Sequence, residues 1–199
     1  MATTCENNGL YETLDWCPGQ TVLPGIKSKI YVVPKAWITT WPKLPAIKGA
    51  ENMAALATYK GDFVLAADKK WQRIEAFSKK SNISSESQGE DPSKTFLNKA
   101  TILYAGTDAA ATGFCRQANI DQLVYAIPQR DGKYRILGSE SFDINTKPSQ
   151  ASGEGDTGTG GTTLEIEATD ICPSPFYAGT LDTVDGKISG ADGSIVPAG

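Results

Sequence analysis

Glu165 and Glu167 are the carboxylates whose spacing best suits chemistry, because two residues apart in LEIEA places both on one face of an extended strand. Asp182 and Asp185 form a second close pair. Such pairs hydrolyse glycosides only when they face each other across a cleft. Acids on the same side of one strand read more simply as a solvated face. The chain has no histidine among its 199 residues. This removes the commonest general base, proton shuttle and metal ligand. Ser-His-Asp, Cys-His and H-E-x-x-H chemistry go with it, while lysine or carboxylate chemistry stays open. The cysteines Cys5, Cys17, Cys115 and Cys172 show no C-x-x-C spacing, so neither a zinc site nor a redox motif is expected. A Cys5–Cys17 bridge is conceivable, and Cys115 reads as a small buried apolar residue. Asp91, Asp121, Asp131 and Asp143 lack the repeated spacing of a calcium loop. The tract SQASGEGDTGTGGT lacks the Lys-Ser/Thr ending and following helix of a phosphate loop, and runs instead into an alternating strand. No catalytic residue, metal or cofactor is expected.

The basic residues Lys69, Lys70, Arg73, Lys79, Lys80, Lys94 and Lys99 cluster around Trp71 and Phe77, a mixture that can bind nucleic acid. Asp68, Glu75, Glu86, Glu90 and Asp91 share the same stretch, so ion pairing between neighbouring strands fits better than a phosphate track. Trp37 and Trp41 read as packing anchors, with a carbohydrate platform as the sharper alternative. The net charge of −4 is unevenly spread. From Asp131 onward there are 11 acidic and 4 basic residues, against 12 and 15 before it, which suits self-association of unlike surfaces.

The elements that must position these residues are mostly strands. Residues 63–104 read as two long extended arms joined by the polar SNISSESQGEDPS, one long protruding hairpin. Phe96, Ala100, Ile102 and Tyr104 fall on one face of the second arm, with Asn98 between them, and Leu97, Lys99, Thr101 and Leu103 on the other. A turn-rich irregular arm fills residues 1–29, and a strand is expected over 29–33. The one helix expected lies near 108–118, with Thr107 or Asp108 as its cap. Asp131-Gly132 marks a hairpin between strands at 123–127 and 134–137. A strand follows the Gly-rich tip. The expected fold class is mainly β, a β-sandwich or small barrel, with the domain over 30–180 and a C-terminal extension over 181–199. No signal-like or 18-residue apolar stretch is present, so neither standard export nor a membrane span is expected.

The order of these pieces resembles the tail tube (major tail) proteins of phages, of the sort found in phages of Bacteroidota. The resemblance covers about residues 60–180 and rests on KKWQRIEAFSKKSNISSESQGEDPSKTFLNKATILYAG, TDAAATGFCRQAN, NIDQLVYAIPQRDGKYRILGSE, the Gly/Thr-rich loop and TTLEIEATDICPSPFYAG. It implies a structural, non-enzymatic virion protein. Six copies form a ring, rings stack into a tube, and the hairpins close a barrel around a lumen through which DNA passes without sequence-specific binding. The hairpin residues implied to meet neighbours are Phe63, Leu65, Trp71, Arg73, Ile74, Phe77, Phe96, Ile102 and Tyr104. Those implied to reach the next ring are Asn82, Ser85, Glu86, Gln88, Glu90 and Asp91. Small polar residues (Ser81, Ser84, Ser85, Ser87, Thr95 and Thr101) would line the lumen, with lysines paired to acids. The implied partners are further copies of the chain, the tape measure, the terminator and the baseplate or tip, in a virion tail assembled in the host cytoplasm. A capsid decoration or head–tail connector protein is the alternative, and a carbohydrate-binding module a more distant one.

Overall fold

A computed structural model describes residues 10–155, 158 and 160–197. Its strands are β1 (Lys29–Pro34), β2 (Ile38–Thr40), β3 (Thr58–Tyr59), β4 (Val64–Leu65), β5 (Gln72–Glu75), β6 (Asn82–Gln88), β7 (Thr95–Tyr104), β8 (Leu123–Pro128), β9 (Tyr134–Leu137), β10 (Ile144–Ala151), β11 (Gly161–Asp170), β12 (Phe176–Tyr177), β13 (Thr180–Thr183) and β14 (Gly186–Ser189). Two helices, α1 (Met53–Leu56) and α2 (Ala109–Ala118), accompany them. The chain is therefore mainly β. A six-stranded sheet runs β3-β12-β9-β8-β1-β5 and a four-stranded sheet runs β10-β11-β7-β6. The pairs β13-β14 and β2-β4 complete the set, and no sheet closes into a barrel.

The six-stranded sheet is the middle layer. Every residue of β8 is buried, as are Ile30–Val33 of β1, so both faces of these strands are covered. On one side the Tyr125 and Thr146 hydroxyls share a 3.0 Å hydrogen bond that ties β8 to the four-stranded sheet. On the other, Phe63 sits among Trp41, Trp71 and Tyr177, with ring centroids 5.5, 5.4 and 5.2 Å away. Offset and edge-on contacts of this kind add to the burial of large rings.

The extended run over 63–104 is not one hairpin. Ala66 accepts from the Lys69 N–H at a tight turn, and Asp68 there has a left-handed φ of 61°. A further turn closes from the Lys80 N–H to the Phe77 carbonyl. These two breaks send β4 to β2 and β5 to β1, and leave only β6 and β7 as a hairpin. β7 still has 10 residues, twice the usual strand length of about 5–6.

The expected helix is present as α2, with the Asp108 carboxylate accepting from the Ala111 N–H at 2.8 Å. The single turn α1, capped by Asn52, is an addition. The expected extension over 181–199 is instead part of the fold as far as β14. Leu181 and Thr183 are fully buried, and the boundary at 180 falls inside β13. The cause is Trp71, which donates its N–H to Asp182 and accepts from the Val184 N–H, both at 3.0 Å. Residues 10–25 form an irregular exposed arm that ends where Ile26, fully buried, bridges to Gln129. The proposed Cys5–Cys17 bridge involves Cys5, which lies outside the described residues.

Candidate assembly surface

Alternation along β7, β11 and β10 gives the four-stranded sheet two unlike faces. Asn98, Ala100, Ile102, Leu164, Ile166 and Ala168 point into the core. Asn98 is completely buried, yet both ends of its amide are used. Its Nδ2 donates to the Cys172 carbonyl at 3.1 Å, and its Oδ1 accepts from the Ser174 N–H at 2.8 Å. The amide thus clamps the segment after β11 onto β7. Asp170 ends the same inward row, accepting from the Ile171 N–H at 2.7 Å and the Tyr59 hydroxyl at 3.2 Å, and burial pushes its carboxyl above the usual range. Asn98→Ala strands a buried donor and a buried acceptor, and is expected to cost about 2–3 kcal/mol, read from the urea unfolding midpoint.

The outward face is polar. Its cross-strand rows place Ser84 beside Lys99, Lys99 beside Glu167, and Glu167 beside Asn145. Across these rows runs a line of alternating charge. Glu86 on β6 pairs with Lys99 on β7, and Glu167 on β11 pairs with Lys147 on β10 at 2.8 Å. Lys147 and, more weakly, Lys99 hold the Glu167 carboxyl below its ordinary value. The sign sequence from β6 to β10 is minus, plus, minus, plus. The two outer strands therefore carry opposite charges at opposite edges.

Those edges are open. Among the described residues β6 pairs only with β7, and β10 only with β11. The β6–β7 turn, residues 89–94, is held by the Ser93 N–H to Glu90 carbonyl bond at 2.7 Å and by the Lys94–Asp91 pair. Gly89 has a φ of 81°, and a Cβ there would meet the Ser93 carbonyl at 2.8 Å, so the turn needs glycine.

The residues expected at a hairpin interface separate in the fold. Phe63, Trp71 and Ile102 are buried inside the chain, with Trp71 at 1% exposure, so they pack the core and are unavailable to a neighbour. Leu65 and Ile74 pack against the same core. Arg73 pairs with Asp185 at 2.7 Å, and that carboxylate also accepts from the Tyr31 hydroxyl at 3.0 Å. The Tyr104 hydroxyl donates to Asp108, Phe96 is half-buried, and Phe77 is exposed. Of the residues assigned to an inter-ring loop, Asn82, Ser85, Glu86 and Gln88 belong to β6 itself, and only Glu90 and Asp91 lie in the turn. Ser85 and Ser87 share the side of Asn98, opposite to Ser84, and Ser81 is buried. Trp37 and Trp41 both pack on the core, with Lys69 over the Trp37 ring at 4.6 Å. Glu165 and Glu167 lie on the solvated outward face, as their spacing suggests.

No family model, curated protein or solved structure matches the chain. Among the described residues no group of three or more histidine, cysteine or acidic side chains is placed to hold a metal ion. Lys147, the far end of the charge line, carried no signal in the sequence beyond being a lysine in an extended segment. Its partner lies 20 residues away, and only the register of β10 on β11 brings them together.

Proposed function

We propose that this chain is the structural subunit of a tube, built as stacked rings in the manner of a phage tail tube. The observation that carries the reading is the four-stranded sheet with two open edges and a charge line that ends in opposite signs. Neighbours in the sheet are all antiparallel, so β6 and β10 run in opposite directions. In a ring of copies related by rotation, β6 of one copy meets β10 of the next in antiparallel fashion. Glu86 then approaches the Lys147 of the adjacent copy, and the alternation of sign continues across the joint. Such a contact is heterologous and closes into a ring. It also removes both exposed edges, which would otherwise invite unregulated pairing.

With strands about 4.8 Å apart and tilted by about 40°, six copies close a barrel roughly 48 Å across its backbone. The core-facing side chains keep the six-stranded sheet outside this barrel, and the outward face of Ser84, Lys99, Thr101 and Glu165 turns to the lumen. Its bases are spent on neighbouring acids, which leaves little net charge to hold a passing DNA duplex. The subunit acts by position and shape, without catalysis. Other tail components and a virion setting follow from this reading. Negative-stain micrographs of the concentrated protein are expected to contain rings or tubes of constant bore. A protein that stays monomeric, even with other tail proteins present, would sink the reading, and trimers that decorate capsids would replace it with the alternative.

A further inference from the structure

We propose that residues 10–25 form an exchange arm that docks on a second copy of this chain, adding to the open edge of β5 and filling the apolar trough between β5 and α2. The inference does not rest on the tube reading.

The receiving site has a backbone part and a side-chain part. Ala76 donates to Ser28 across the β1–β5 ladder, so Gln72, Ile74 and Ala76 bond toward β1, and Trp71, Arg73, Glu75 and Phe77 bond the other way. Trp71 spends its outward groups on Asp182 and Val184, and Phe77 donates to Leu103. Between them the backbone groups of Arg73 and Glu75 face outward, and no backbone partner takes them among the described residues. Beside this gap lie two adjoining cavities, of about 190 and 300 Å³, that share Arg73, Ile74 and Phe114. Tyr104 and Leu164 line one, and Val32 and Leu123 the other. An open strand edge flanked by apolar pockets is the setting for strand addition, in which alternate side chains enter the pockets.

The arm supplies what the site lacks. Tyr11 is 90% exposed, Leu14 85% and Trp16 65%, and Val22 and Leu23 are also bare. Large apolar side chains left in water over a short segment mark a surface meant to be covered. Leu14 and Trp16 are two residues apart and share one face of an extended chain. The Glu12 carboxylate accepts from the Met53 N–H at 3.3 Å, which holds the arm beside α1. α1 leads into β3, the edge of the six-stranded sheet opposite to β5. The arm is rooted at Ile26 beside β8, and its Glu12 end lies by α1 at the edge away from β5, so it leaves the trough of its own copy unfilled and free for the arm of a second copy. Extended, residues 10–25 span up to roughly 53 Å, long enough to leave the parent copy.

The test uses two full-length proteins that can be cross-linked only in trans. One carries Cys5→Ser, Cys17→Ser, Cys115→Ser and Gln117→Cys, where Gln117 lines the larger cavity. The other carries Cys5→Ser and Cys115→Ser and keeps the exposed Cys17 of the arm. A short bis-maleimide added to the mixture is expected to give a covalent dimer that neither protein gives alone. Replacing Leu14 and Trp16 by serine in the second protein should reduce that dimer at least about tenfold, as expected for losing some 1.4 kcal/mol or more of docking. A mixture that gives no dimer overturns the proposal. So does a dimer indifferent to Leu14 and Trp16, or a link formed only within one chain when Cys17 and Gln117→Cys share it. Micrographs of the Cys5→Ser protein report on the tube separately, since rings can form without this link and the link can form without rings.

Discussion

Glu86→Pro and Ser87→Pro are expected to fail in different ways. Successive residues of an antiparallel edge strand point their N–H groups alternately inward and outward. At one of these two positions proline removes a ladder bond to β7, and at the other it removes only a donor on the free edge. The first variant should unfold at lower urea. The second should keep the parent midpoint and circular dichroism spectrum yet lose assembly, seen as monomers in sedimentation and an absence of rings in micrographs. Loss of the Glu86 ion pair touches only Glu86→Pro, where an exposed pair contributes little, and Ser87→Pro leaves that pair in place. If both variants assemble as well as the parent, the β6 edge is not a joint between copies.

Trp71→Ala carries the largest expected loss of stability. The side chain is 1% exposed and packs on Phe63, while its backbone holds β13 through Asp182 and Val184. Truncating a buried tryptophan costs about 3–5 kcal/mol when the site cannot collapse. Here the walls are Phe63 and the strands around it, which are themselves fixed by Trp41 and Tyr177. The denaturant midpoint should fall accordingly, and protease sensitivity should appear first over residues 180–189, which lose their packing surface. A drop under about 1 kcal/mol would mean that the aromatic cluster is not the keystone of that layer.

Much of the fold was legible because its signals are local. The Asp131-Gly132 turn, the alternation of Leu164–Ala168 and the Asp108 cap all act within a few residues, and each element lies where those signals put it. The two-faced pattern of Phe96–Tyr104 was equally readable, including the inward Asn98. What failed was continuity. Phe63–Lys80 has enough apolar and β-branched character to look extended throughout, and nothing in composition reveals that Asp68 takes a left-handed turn. The same gap hid the role of Trp71, whose partners are more than a hundred residues ahead, and it hid the β13–β14 hairpin as part of the core. The charge line from Glu86 to Lys147 depends on the register of three ladders at once, so no window of sequence contains it.

The four-stranded sheet has one further consequence. In the proposed ring each copy would contribute an even number of alternating strands, so closure at any copy number would meet the same hydrogen-bonding rule with no parallel seam. Strand pairing therefore sets no particular symmetry. Each added copy would widen the barrel by roughly 8 Å, and only the twist and wedge angle between edges selects among these sizes. Substitutions that change the curvature of β6 or β10 while sparing their backbone groups should produce tubes of altered bore rather than no tubes. In the proposed tube, bore would change in steps of one copy, selected by the curvature of the sheet and tuned separately from whether the copies join at all.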